Sequence, residues 1–134
     1  MSKKLNCILL IDDDEDDNFF HQLIIDKLNI TDQVVIAESG FEALDFLTNT
    51  VMAPDLIFLD INMPRMNGWE FMKEYNNLYL AQSKPVIITV LTTSANPYER
   101  EQSKKIRGIA GFASKPLTEE TMNDIIKSHF PNLS

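Results

Sequence analysis

Hydrophobic positions along the chain fall into two alternating patterns. Short, nearly continuous apolar runs recur at Cys7 to Ile11, Val34 to Ala37, Leu56 to Leu59, Val86 to Leu91 and, more weakly, Gly111 to Ala113. None has a polar partner at every second position, so they predict strands buried on both faces of a parallel sheet. Between them the spacing turns helical. Phe20, Leu23, Ile24 and Leu28 share one face of a helix that begins near Asp16. A second helix follows Ser39-Gly40 through Phe41, Leu44 and Leu47, and a third starts near Gly68 with Trp69, Phe71 and Met72. A fourth, conspicuously polar, starts at Asn96-Pro97, where asparagine caps and proline suits the first helical position. The last has Thr118 as N-cap, Leu117 and Met122 placed as a hydrophobic staple, then Ile125, Ile126 and a stop at Pro131. Five βα units with short connections specify a parallel sheet with right-handed crossovers and helices on both faces.

In such sheets polar groups collect beyond the carboxyl ends of the strands, beside the switch point in strand order. Four features sit there: Asp12-Asp13-Asp14, Asp60, Thr92-Thr93 and Lys115. Each has an ordinary structural explanation alone; their joint placement does not. Asp14 to Asp17 read as a solvated loop and first helical turn, stabilised by the helix dipole. Asp12 and Asp13 lie at the strand tip, where they and Asp60 repel one another unless a cation joins them, and Mg2+ is the natural one. A calcium loop of the EF-hand type fails, since Asp17 and Leu23 stand where its glycine and closing glutamate belong. A carboxylate beside a metal is placed to attack phosphorus, and the transferring group then needs a cation and hydrogen-bond donors. Lys115 offers the cation and Thr92 a hydroxyl.

The stretches Leu9 to Asp13, Leu59 to Gly68 (LDINMPRMNG), Val90 to Thr93 and Phe112 to Pro116 (FASKP) resemble the response-regulator receiver family of two-component signalling, almost end to end. The resemblance implies a flavodoxin-like (βα)5 three-layer sandwich with sheet order 2-1-3-4-5. It implies phosphorylation of Asp60 by a sensor histidine kinase, a histidine phosphotransfer protein or a small donor such as acetyl phosphate. Mg2+ would be held by Asp12, Asp13, Asp60 and the backbone carbonyl of Asn62. Thr92 and Lys115 would bind phosphoryl oxygens, the Lys115-Pro116 bond would be cis, and Thr92 and Phe112 would form the switch. Phe112 lacks the hydroxyl of the tyrosine found there in many receivers. Phosphorylation would shift a pre-existing equilibrium, read out on the fourth helix, fifth strand and fifth helix.

With 134 residues the chain is expected to be a single receiver domain, residues 1–134, without an output domain. It would be no enzyme beyond its own phosphorylation and dephosphorylation, and would act as a monomer or a weak phosphorylation-dependent dimer on a downstream protein target. A net charge of −8 argues against nucleic acid and anionic membrane as partners. Cys7, the only cysteine, is expected buried and inert, and the N-terminus from Met1 to Leu5 lacks a targeting signal, so a cytoplasmic protein is expected. His21 and His129 read as surface residues. A phosphatase of the haloacid dehalogenase type would need Thr or Val where Asp16 stands, and a flavin phosphate would not suit the acidic first loop. The remaining alternative is a phosphorylation-independent adaptor with a receiver-like fold.

Overall fold

The computed structural model describes residues 4–78, 85–93 and 96–133. The chain alternates β1 (Leu5–Ile11), α1 (Glu15–Leu28), β2 (Thr31–Ala37), α2 (Gly40–Asn49), β3 (Leu56–Leu59), α3 (Gly68–Asn76), β4 (Ile87–Thr92), α4 (Pro97–Lys105), β5 (Ile109–Ser114) and α5 (Glu119–His129). All strand pairs are parallel, in the order β2-β1-β3-β4-β5. The expected flavodoxin-like topology is therefore present.

Strand alternation divides the core into two layers. Leu9 and Ile11 of β1, with Ile57 and Leu59 of β3, face a cluster containing Ala43 and Leu47 of α2 and Phe71 and Met72 of α3. Ile8 and Leu10, with Leu56 and Phe58, face the opposite cluster with Ile25 of α1 and Met122 of α5. Both faces of β1 and β3 are covered, which is why their apolar runs are unbroken. The edge strands are longer than their apolar runs, because β2 and β5 are only half-buried and tolerate polar ends.

Helix starts follow side-chain capping. Asp14 Oδ1 accepts from the Asp16 and Asp17 amides at 2.9 and 3.1 Å. Ser39 caps α2, Asn67 and Glu70 form a capping box on α3, Asn96 caps α4 ahead of Pro97, and Thr118 caps α5. Leu117 and Met122 are both fully buried in one cluster, as a staple requires.

The expected inner face of α1 is corrected. The helix buries Asn18, His21 and Ile25, with Ile24 and Leu28 half-buried. Phe20 and Leu23 are instead 43% and 51% exposed, beside Phe19 at 66%. The buried positions step by three and four residues, a true helical stripe, but its first two members are polar and so invisible to a search for apolar periodicity. His21, expected at the surface, is only 3% exposed. His129, in the last turn of α5, remains partly exposed.

Candidate functional site

Parallel pairing brings the strand ends level. The Asp60 amide donates to the Ile11 carbonyl at 3.0 Å, the Asp12 amide to the Ala37 carbonyl at 3.1 Å, and the Lys115 amide to the Thr92 carbonyl at 2.8 Å. An open cleft of about 560 Å³ forms over these ends, lined among others by Asp12, Asp13, Asp60, Asn62, Thr93 and Lys115. Close packing of α3 fixes the Asp60 loop. A β-carbon on Gly68 would lie 2.7 Å from Ile61 Cα and 2.9 Å from the Asp60 carbonyl oxygen.

Asp12 and Asp60 are buried and Asp13 is exposed at the rim; one carboxylate oxygen from each lies within 4.8 Å of the others. Opposite oxygens around Mg2+ are about 4.2 Å apart, so this oxygen-only set fits a hard divalent cation after slight adjustment. Asp60 is pushed up to about 6, first by burial and then by the Asp12 charge, against the opposing pull of Lys115 and the Asn62 amide. The Asn62 amide donates to Asp60 Oδ1 at 3.3 Å.

Lys115 closes the cleft floor, its Nζ 2.6 Å from Asp12 Oδ2, 2.8 Å from Asp17 Oδ2 and 3.6 Å from Asp60 Oδ2. Burial works against its charge, but hydrogen bonds to Asp12 and Asp17 outweigh that and hold the ammonium more firmly protonated than usual. The Lys115-Pro116 bond is cis. Thr92 is buried and its Oγ1 accepts from Asn62 Nδ2 at 3.4 Å, while the neighbouring Thr93 faces the open volume. Phe112, half-buried on β5, carries the Arg100 guanidinium 5.0 Å from its ring centre.

Three residues of α1 enter the site without having been singled out. Asp17 binds Lys115, correcting the solvated-turn reading, which holds for the capping Asp14. Asn18 Nδ2 donates to the Asp12 carbonyl at 2.9 Å, while its buried Oδ1 has no hydrogen-bond partner among the described residues. His21 joins Asn18, Asp12 and Asp60 around a cavity of about 10 Å³, close to the room one water needs. The signal that could have found them is phase: Asp14, Asn18 and His21 lie on one side of a helix capped directly after the strand tip, with Asp17 beside them.

Residues 8–127 match the model of the response regulator receiver domain. The protein PilG of Pseudomonas aeruginosa is 31% identical over 101 residues, covering 75% of this chain and 71% of that protein. The sporulation initiation phosphotransferase F of Bacillus subtilis is 27% identical over 99 residues, 74% of each chain. Among solved structures, a two-component response regulator from Cytophaga hutchinsonii superposes with a TM-score of 0.88 at 27% identity, covering 96% of this chain and 99% of that one.

Proposed function

The chain belongs to the response regulator receiver domain family of two-component signalling, and from that premise we propose that it accepts a phosphoryl group on Asp60 and signals by the change of surface that follows. The observation that carries the reading is the meeting, at one end of the sheet, of a buried Asp60, two further carboxylates at cation-binding distance and a buried lysine. An Asp60 oxygen attacks the phosphorus of a phosphohistidine or of acetyl phosphate. The new O–P bond forms as the N–P or O–P bond to the donor breaks, and the leaving imidazole or acetate takes that bond's electron pair. Hydrolysis later returns the carboxylate and inorganic phosphate, so chemistry is limited to the domain's own modification.

Asp12, Asp13, Asp60 and the Asn62 carbonyl would hold Mg2+, which supplies charge neutralisation of the phosphoryl oxygens. Thr92 and Lys115 bind those oxygens, and Thr92 turning toward them lets Phe112 move inward. That movement draws the ring from beneath Arg100, a contact worth about 0.5–1 kcal/mol at an exposed site. Helix α4 is suited to respond, since Ser103 is its only buried residue among those described. Support for a protein phosphodonor comes from Phe19, Phe20 and Leu23, exposed on the helix that also carries Asp17. A single receiver domain acting in a reducing cytoplasm fits the lone buried thiol of Cys7. No helix among the described residues is long and apolar enough to cross a membrane.

Intact mass after incubation with Mg2+ and acetyl phosphate is the test. Wild type should gain one phosphoryl group and Asp60→Asn none. No gain in wild type, with a panel of histidine kinases tried as well, would move the assignment to the phosphorylation-independent adaptor.

A further inference from the structure

We propose that Asp17 is a brake on the phosphorylation site, competing with the phosphoryl group for Lys115. This rests on Asp60 as the acceptor. Lys115 Nζ is held at 2.6 Å by Asp12 and 2.8 Å by Asp17, and lies 3.6 Å from Asp60, so it sits closer to these two carboxylates than to the acceptor. An ammonium has three N–H donors and one unit of charge. Two donors are committed, and the charge that should meet the phosphoryl oxygens is shared with two carboxylates beforehand.

These two partners differ in what a cation can do to them. Asp12 belongs to the carboxylate triad that fits a divalent ion, so a bound ion takes over part of its charge. Asp17 does not belong to it and keeps its full charge for the lysine. Its backbone is also fixed, because its amide donates to the capping Asp14 at 3.1 Å. The Asp17 side chain is 37% exposed and that of Lys115 8%, which places the pair between a surface ion pair and a buried one. Asp17 therefore sets how much of the lysine's charge reaches Asp60, and a phosphoryl group gains its affinity by drawing Lys115 from α1.

Affinity for beryllofluoride, a phosphoryl mimic, at saturating Mg2+ tests this in wild type, Asp17→Asn, Asp17→Glu, Asp16→Asn and Asp60→Asn, followed by amide NMR. Asp16 lines the same cleft without an ion pair to Lys115 among the described contacts, so its neutralisation measures the effect of charge alone. Asp17→Asn is expected to bind roughly three- to tenfold more tightly, Asp16→Asn to change less than about twofold, and Asp17→Glu to stay near wild type. In wild type the amides of the first turn of α1 should shift on binding, and in Asp17→Asn that shift should shrink. Equal or weaker binding by Asp17→Asn overturns the brake, as does an equal gain in Asp16→Asn. Binding that survives in Asp60→Asn overturns the acceptor assignment itself, and the brake with it.

Discussion

Two buried side chains at the site respond to pH in opposite directions. Asp60, pushed up to about 6 chiefly by burial and by Asp12, is favoured in its protonated form by the fold. Its contribution to stability is present at low pH and lost as pH rises from about 4 through 6. In metal-free protein at pH 8, Asp60→Asn should therefore be more stable than wild type by about 1–3 kcal/mol in urea unfolding, the gap closing as pH falls toward 4. His21 is pushed below its ordinary value, first by burial and then by Lys115, while Asp17 and Asp12 pull the other way. Its contribution is present above about 6.5 and lost as pH falls below it. The stability of wild type relative to His21→Gln should thus decline between pH 7.5 and 5.5. The two effects overlap and partly cancel in wild type, so each is read as a difference against its own variant. The gathering of Asp12, Asp13, Asp60, Thr92 and Lys115 at one end of the sheet was legible in the sequence because each stands at or just after a strand end. Asp17, Asn18 and His21 were not, because their contacts depend on helix phase: Asp17 meets a distant lysine, while Asn18 and His21 turn toward Asp12.

At the scale of elements, the connection from β3 to α3 is set by contact at Gly68. A methyl group there meets two backbone atoms, Ile61 Cα and the Asp60 carbonyl oxygen, and neither can yield as a flexible side chain would. Gly68→Ala should cost about 1–3 kcal/mol, seen as a lowered urea midpoint, and should slow phosphorylation by displacing Asp60. All five strands and the starts of the helices were readable, since central strands are mostly apolar and caps are encoded by single polar residues. The lengths of β2 and β5 were not, because a half-buried edge strand accepts Thr31, Asp32 or Ser114 without an apolar signature. The inward face of α1 was misread in part for a related reason: Phe20 and Leu23 share the apolar spacing of Ile24 and Leu28, but only the latter two pack against the core.

At the scale of the whole molecule, that outward apolar face stands next to an acidic cleft on a chain of net charge −8. A protein donor can use both surfaces, a small donor only the cleft. Phe20→Ser with Leu23→Ser should lower the rate of phosphorylation by a cognate histidine kinase about tenfold or more while leaving that by acetyl phosphate within twofold, as read by intact mass over time. Equal loss with both donors would place the defect in the site instead. The sequence by itself determined the alternation of elements, the parallel sheet and the residue types gathered at its carboxyl end, because these depend on local periodicity, capping and strand termini. Tertiary structure decided which partner each charge takes. Lys115 and Asp17 are separated by 98 positions in the chain, and only the fold, with α1 packed against α5 and β2, brings them together as an ion pair. It likewise decided which side of α1 is buried, because that choice is made by what the sheet presents to the helix.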